Sequence, residues 1–517
     1  MLAGYAPGAV DGFVATLLRR NRVSAARSIS ALVRREYARP TMSDLDLSIV
    51  DEQTTELWAG LVPVLSEYIA IPALSPAFDA DWAATGHVDR AADLVTSWCD
   101  RRSIPEMTVT VHRLEGRTPT IVCEIPATAG AEDAPPVLLY GHFDKQPEME
   151  GWRDDLGPWK PVLEGDRLYG RGGADDGYSA FAALGAIEAV QAAGGAHPRC
   201  VVLIEGSEES GSPDLPAYIE ALADVIGTPQ LVVCLDSGAA DYEHLWITTS
   251  LRGLAAGNLV VRVVEEGLHS GAYGGVVPDT FRILRLLLDR IEDSENGRVL
   301  LDEAWVEIPP EAQEALARAA PLVGAGRVSE VPWTPGVEPV TGGDALEALL
   351  ATTWRPQLTV IGQDGIPPNV RAGNVLRPET SLKLSLRLPP HVDPDVVLRS
   401  LERSLTTDPP YGARVTFESD AGAWGWAAPP TAPWLEDALQ TASARFFGAP
   451  ALQFGEGGTI PFMAMLGQRF PGTQFVVTGV LGPHSNAHGP NEFLHLPTGR
   501  KVTAVVAAVL DAAARRH

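Results

Sequence analysis

A chain of 517 residues with 45% hydrophobic side chains has enough apolar material for a large core, and its length predicts two or more domains. Forty lysines and arginines against 66 aspartates and glutamates give a formal net charge of −26, which disfavours nucleic acid as a partner because phosphate binding needs cations. Four cysteines without a Cys-x-x-Cys pair exclude a disulfide framework and favour a reducing, cytoplasmic compartment.

The beginning of the chain differs from the rest. Residues 1–41 carry seven arginines against one aspartate and one glutamate, without the apolar core or cleavage site of a secretory signal. We interpret residues 1–50 as an N-terminal extension and Met42 as an alternative start. Nowhere does the sequence reach the ~18 consecutive apolar residues of a membrane span, so no membrane partner is predicted.

From residue 51 the pattern predicts an α/β protein. Apolar residues at helical spacing run from Leu57 to Tyr68. Short apolar runs typical of buried parallel strands recur at residues 136–140, 200–204 and 231–235. The alanine-rich segments 179–193 and 215–225 between them predict helices. This alternation favours a mostly parallel sheet with helices on both faces.

A second unit is predicted after Asp236. Strand patterns at residues 257–264 and 381–388 flank a helical pattern at 281–291, whereas 309–343, rich in Pro, Gly and Ala, predicts an irregular surface. Helix, strand and helix then resume from residue 434. We therefore predict a catalytic domain in two parts, residues 51–250 and 424–517, interrupted by an inserted α/β domain over residues 251–423.

Acidic and imidazole side chains directly follow each of the three apolar runs. His142 and Asp144 follow the first, Glu208 and Glu209 the second, and Asp236 the third. Ligands bind beyond the carboxyl ends of strands in open α/β sheets, so these side chains are expected to converge. Spacing by two lets Asp144 contact and orient His142, as is usual for a metal-ligating imidazole. Two acids directly after a buried strand, Glu208 and Glu209, are suited to act as one metal ligand and one general base. The alternative is that both are solvent-exposed charges of a loop.

Further polar clusters lie outside these runs. Asp175 and Asp176 follow a glycine-rich turn at a predicted helix start, where two carboxylates argue against a phosphate loop. Taken singly, each is also explained as a helix cap. His488 lies in a Gly/Pro/Asn loop near the C-terminus. His269 is flanked by glycines, and packing in a core does not explain a histidine in this segment, so a functional role is predicted. The alternative is a solvent-exposed histidine in a turn.

Jointly these clusters resemble one family. The motifs are His142-x-Asp144, Gly170-Arg-Gly-x-x-Asp175-Asp176, Glu205-Gly-x-Glu208-Glu209-x-Gly-Ser212, Asp236 after the next strand, His269-Ser-Gly-x-Tyr-Gly-Gly275 and Ala487-His488-x-x-Asn491-Glu492. Their order resembles that of the carnosinase-like zinc metallodipeptidases of the aminoacylase and glutamate carboxypeptidase superfamily, from about residue 55 to the end. The sequence departs from the family pattern at two places: Gly177-Tyr178 replaces the usual Lys-Gly, which loses no ligand but changes the helix entrance, and Lys145 replaces a small apolar residue, which affects fine specificity.

The resemblance implies a site with two zinc ions per subunit, for which manganese or cobalt are alternatives. It assigns His142 and Asp236 to one ion and Glu209 and His488 to the other, with Asp175 bridging both.

The remaining roles also come from the resemblance. Asp144 would orient His142, and Glu208 would be the general base that activates a metal-bridging water. His269 would reach across a homodimer, formed through a lid and dimerisation domain at residues 251–423, to stabilise the oxyanion. Arg387 would bind the terminal carboxylate of the substrate, with an exposed strand-end arginine as the alternative. Gly458 and Thr459 would contact the substrate backbone.

We therefore predict a metal-dependent hydrolase that cleaves the peptide bond of dipeptides or short peptides with a free C-terminal carboxylate. An N-acyl or N-carbamoyl amino acid amidohydrolase with the same di-zinc site is the alternative. A non-catalytic binding protein on this fold is disfavoured, because all five predicted ligands and Glu208 are present.

Overall fold

The computed structural model describes residues 45–516 except residues 330 and 459. Most of the predicted N-terminal extension and Thr459 therefore lie outside the described residues. Within residues 45–516, no helix combines the length and the apolar character needed to cross a bilayer.

The chain up to residue 251 contains eight strands and six α-helices among its described residues. The strands are β1 (Thr108–His112), β2 (Thr120–Ile125), β3 (Val137–His142), β4 (Val162–Glu164), β5 (Arg167–Tyr169), β6 (Cys200–Glu205), β7 (Leu231–Cys234) and β8 (Trp246–Leu251). The helices are α1 (Leu47–Ile69), α2 (Trp82–Thr85), α3 (His87–Asp100), α4 (Ser179–Ala192), α5 (Leu215–Ala221) and α6 (Ala223–Ile226).

The middle of the chain forms further strands and helices. Its strands are β9 (Gly253–Arg262), β10 (Leu268–His269), β11 (Glu292–Asp293), β12 (Arg298–Val299), β13 (Gln357–Asp364), β14 (Val375–Leu376), β15 (Glu379–Leu388) and β16 (Arg414–Ser419). Its helices are α7 (Ser270–Tyr273), α8 (Thr280–Leu288), α9 (Pro310–Ser329), α10 (Ala345–Thr353) and α11 (Pro394–Thr406).

The last part of the chain adds four strands and three helices. The strands are β17 (Trp426–Ala427), β18 (Leu452–Glu456), β19 (Gln474–Val477) and β20 (Phe493–His495). The helices are α12 (Pro433–Phe446), α13 (Pro461–Arg469) and α14 (Leu496–Ala514).

A six-stranded sheet, in the order β1-β2-β6-β3-β7-β19, forms the centre of the first and last parts of the chain. β6, β3, β7 and β19 are parallel, and β2 is antiparallel to both of its neighbours. Alternating residues pack on opposite faces: Leu139 lies in the core formed with α1, α4 and α14, and Leu138 in the core formed with α5 and α13. The predicted mostly parallel sheet with helices on both faces is confirmed, with one antiparallel strand within it.

A second, antiparallel sheet has the order β13-β15-β9-β16. On β15 the buried residues Leu382, Leu384 and Leu386 alternate with more exposed ones and pack against α8 and α11. This sheet lies within the predicted insert, whose bounds at residues 251 and 423 stay a prediction.

The expected irregular surface at residues 309–343 is wrong for its first half, which forms α9. Leu316, Ala319, Ala320 and Val323 follow helical spacing and are buried against α10 and against Trp246 and Phe454 in neighbouring strands. Proline is tolerated in the first turn of a helix, so Pro310 begins α9 instead of preventing it.

Candidate metal centre

Adjacent strands bring the predicted site residues to one edge of the central sheet. His142 is the last residue of β3 and is paired in register with Glu205, the last residue of β6. Asp236 follows two residues after the end of β7, which is the other neighbour of β3. The carboxyl ends of these parallel strands therefore place three polar segments side by side.

His142, Asp175 and Asp236 form a first group, whose ligand atoms all lie within 4.8 Å of one another. The Nε2 atom of His142 lies 3.3 Å from Asp175 Oδ1 and 3.7 Å from Asp236 Oδ2. All three residues are buried. One imidazole and two carboxylates thus converge on a single buried point.

Asp175, Glu209 and His488 form a second group within the same distance limit. The Nε2 atom of His488 lies 3.0 Å from Asp175 Oδ2 and 3.3 Å from Glu209 Oε2. Asp175 directs one carboxylate oxygen at His142 and the other at His488. It is therefore common to both groups.

Asp144 connects His142 to the turn that carries the two glutamates. Its Oδ1 atom lies 3.4 Å from His142 Nδ1. The same carboxylate accepts hydrogen bonds from the backbone N–H groups of Glu208 and Glu209, each at 3.0 Å. Asp144 is fully buried, so it holds both the imidazole and the turn in place.

Glu208 lies beside the first group without belonging to either group. Its Oε2 atom is 4.0 Å from His142 Nε2. Glu205 also holds the turn that carries Glu208 and Glu209. Its carboxylate accepts hydrogen bonds from the hydroxyl groups of Ser207 at 3.2 Å and Ser212 at 2.8 Å, which lie on either side of these two residues. The Tyr140 hydroxyl donates to the same carboxylate at 2.6 Å.

Burial and neighbouring charges shift the pKa values of the first group and of Glu208. Burial, reinforced by Asp236, raises the pKa of Glu208 well above its usual range. Burial also raises the pKa of Asp236 to about 7, against the opposing effect of His142. Burial alone would lower the pKa of His142, but its contacts with Asp144 and Asp175 raise it well above normal.

In the second group, too, burial and contacts with oppositely charged neighbours shift the pKa values in opposite directions. Burial disfavours the charged form of His488, but its contacts with Asp175 and Glu209 raise its pKa to about 11. Burial opposes ionisation of Asp175, yet contacts with His142 and His488 hold its pKa below its usual range. The carboxylates of both groups are thus arranged to favour neighbouring positive charge.

Other predicted site residues lie on the second sheet and nearby segments. His269 ends β10 and is exposed. Arg387 lies on β15, opposite Gln357 of β13 and Leu254 of β9. Gly458 accepts a hydrogen bond at its carbonyl oxygen from the backbone of Arg252 at 3.0 Å. The structure thus gathers seven of the predicted residues in one cluster: His142, Asp144, Asp175, Glu208, Glu209, Asp236 and His488.

The two departures from the family pattern have structural explanations. The buried Lys145 Nζ atom donates to the carbonyl oxygens of Tyr68 at 2.7 Å and Ile71 at 2.8 Å, at the end of α1. The Tyr178 hydroxyl donates to the carbonyl oxygen of Leu235, next to Asp236. Both side chains support segments around the cluster.

Sequence reasoning assigned no role to three residues that support the cluster. Gln146 donates from Nε2 to Glu209 Oε2 at 2.7 Å. Arg171 and Glu492 form a buried ion pair at 2.6 Å. Both charged residues belong to the quoted motifs, but the spacing of separate motifs does not show that they pair across 321 positions.

Comparison with known proteins identifies the family. The sequence matches peptidase family M20/M25/M40 over residues 138–512. It is 30% identical over 372 residues to the cysteinylglycine-S-conjugate dipeptidase of Corynebacterium striatum, covering 70% of this chain and 77% of the relative. It is 25% identical over 467 residues to the Cys-Gly metallodipeptidase of Schizosaccharomyces pombe, covering 87% and 93%.

Solved structures show the same fold. Human carnosine dipeptidase 1 superposes with a TM-score of 0.68 at 22% identity, covering 91% of this chain and 99% of that one. A metallo-carboxypeptidase from Sulfolobus solfataricus gives a TM-score of 0.71 at 20% identity, covering 88% and 99%. The family match covers well over half of the sequence, and the chain therefore belongs to peptidase family M20/M25/M40 and is a metallopeptidase.

Proposed function

We propose that this protein is a dipeptidase with two zinc ions per subunit, for which manganese or cobalt can substitute. The observation that carries the proposal is the pair of ligand groups that share Asp175, with Glu208 beside them. The dipeptidase names of the relatives support the reaction, and the geometry of the cluster supports the metal stoichiometry.

The residues present fit two such ions. Each group combines one imidazole with two carboxylates, a donor set that suits zinc and neighbouring first-row metals. When ionised, Asp175, Glu208, Glu209 and Asp236 together carry the negative charge that two divalent cations would balance. A buried cluster of this charge is costly without cations.

Two bound ions would polarise the scissile carbonyl and lower the pKa of water. Glu208 takes the proton from the attacking water and returns it to the leaving amine. Asp144 positions both Glu208 and His142 for this step, since its carboxylate accepts a hydrogen bond from the backbone N–H of Glu208 and contacts the His142 imidazole.

The substrate we propose is a dipeptide or short peptide with a free C-terminal carboxylate. Relatives are named for cysteinylglycine conjugates, Cys-Gly and β-Ala-His. We assign Arg387 to the terminal carboxylate because a guanidinium can bind both of its oxygens. We assign Gly458 and Thr459 to the substrate backbone.

We also propose a homodimer in which His269 serves the site of the partner subunit. His269 is exposed and lies in the segment before α8. The edge strand β13 exposes Val360 and Ile361, and α8 exposes Phe281 and Leu286. Exposed apolar side chains on one unit of the fold suit association with a second copy. The four free, buried cysteines support a cytoplasmic location.

A substrate panel tests the reaction. Metal-free protein is refilled with zinc, manganese or cobalt and assayed with Cys-Gly, β-Ala-His, N-acetyl amino acids and N-carbamoyl amino acids. We expect metal-dependent hydrolysis of the dipeptides. Hydrolysis of only the N-acyl or N-carbamoyl compounds would show that the amidohydrolase alternative is right and the dipeptidase proposal wrong.

A further inference from the structure

A buried ion pair lies behind the second ligand group. Arg171 Nη1 donates to Glu492 Oε2 at 2.6 Å, and both side chains are almost completely buried. A buried pair carries a large desolvation penalty, so it is weak evidence for stability by itself. Its partners point to another role.

Glu492 holds the segment that carries Asp175. Its second oxygen, Oε1, accepts hydrogen bonds from the backbone N–H of Gly172 at 2.9 Å and from that of Ala174 at 3.4 Å. Ala174 directly precedes Asp175. The carboxylate of Glu492 therefore fixes the backbone next to the residue shared by both groups.

Arg171 holds the loop that carries His488 and a second loop that contacts Glu209. Its Nη2 atom donates to the carbonyl oxygen of Gly489 at 2.8 Å, next to His488. Its Nε atom donates to the carbonyl oxygen of Pro147 at 3.2 Å, next to Gln146, which contacts Glu209. One guanidinium therefore links both loops.

His488 needs such support from outside its own loop. Its side chain is 55% exposed, whereas the side chains of Asp175 and Glu209 are 7% and 3% exposed. His484, Asn486 and His488 all adopt positive φ angles, so regular secondary structure does not hold this backbone. His142 and Asp236, by contrast, are placed by the ends of β3 and β7.

We propose that Arg171 and Glu492 are positioning residues that set the spacing of Asp175, Glu209 and His488. The affinity of the second metal site then depends on this ion pair more strongly than the affinity of the first, because the pair acts on all three ligands of the second group but only on the shared Asp175 in the first. The inference rests on the proposed function, because it requires two metal sites.

Zinc titration of metal-free protein by calorimetry tests the inference. The double variant Arg171→Met/Glu492→Met replaces the pair by apolar side chains and removes its four hydrogen bonds to the backbone. We expect one of the two binding steps to lose about 10- to 100-fold in affinity, the range typical of changes around metal ligands, while the other step changes much less. Glu492→Gln, which keeps the size of the side chain but not its charge, should weaken the same step.

A matched control is Arg102→Met/Glu188→Met, which removes a partly buried pair elsewhere in the catalytic part. Both binding steps should stay unchanged in this control. Equal weakening of both steps in the Arg171/Glu492 variants, or no weakening, would overturn the inference. If the double variant does not fold, Glu492→Gln decides the question. Wild-type protein that binds fewer than two zinc ions would overturn the proposed function and this inference together.

Discussion

Replacing Glu208 by Gln separates chemistry from metal binding. The carboxylate lies beside the first group, 4.0 Å from His142 Nε2, but it belongs to neither ligand group. Asp144 holds the backbone N–H of Glu208, and this contact does not depend on the side chain at position 208. We therefore expect a folded protein with both metal sites but without its proton-transfer group.

The magnitude follows from the role of Glu208. General acid–base catalysis contributes about 10²- to 10⁴-fold in rate, or roughly 3–5 kcal/mol of transition-state stabilisation. The loss should appear in kcat, with KM little changed, because Glu208 acts on the water and the leaving amine. The assay measures kcat, KM and metal content on a dipeptide substrate identified by the panel.

Glu209→Gln is the matched control, because it changes the neighbouring residue of the same turn. Glu209 belongs to the second group, so this variant should lose bound metal as well as activity. If Glu208→Gln kept kcat within about tenfold of wild type, or lost metal as Glu209→Gln does, the assignment of Glu208 as the general base would be refuted.

Three further changes have distinct expected outcomes. Burial raises the pKa of Glu205 from 4.5 to about 7, so between these pH values the folded protein holds a proton that the unfolded chain releases. About 3 kcal/mol of folding stability is therefore lost as the pH rises from 4.5 to about 7. Glu205→Gln should flatten this pH dependence in urea unfolding. Ile361→Asp should reduce the mass found by analytical ultracentrifugation to that of a monomer, unlike Leu163→Asp on β4. Phe181→Ala should lower the free energy of unfolding by about 3–5 kcal/mol, and the exposed Phe78→Ala by about 0.5 kcal/mol or less.

Each of these predictions has a contrary result. Parallel pH profiles for wild type and Glu205→Gln would show that this carboxyl does not titrate as its burial indicates. A dimer that survives Ile361→Asp would remove β13 from the interface. Similar losses of stability for Phe181→Ala and Phe78→Ala would contradict the packing of Phe181 against Trp98, whose ring lies 4.8 Å away.

Local sequence patterns predicted the strands of the central sheet because successive residues of a buried strand are apolar. β3, β6 and β7 are apolar runs, apart from the last residues His142 of β3 and Glu205 of β6, and each strand is buried along its whole length. The same reasoning missed α9, although Leu316, Ala319 and Val323 have helical spacing, because its many small residues and prolines resemble a loop. The antiparallel direction of β2 also escaped prediction, since β2 is a buried, mostly apolar run like the parallel strands beside it.

For the candidate site, the sequence by itself determined which side chains are available and that His142, Glu208 and Asp236 lie at or just beyond the ends of buried apolar runs, because such runs are a local property. The roles of these residues stay predictions. Only the tertiary structure decided that the two oxygens of Asp175 face different imidazoles, and that Arg171 pairs with Glu492. Such contacts join residues from 33 to 321 positions apart, and their geometry depends on how strands, turns and loops pack together.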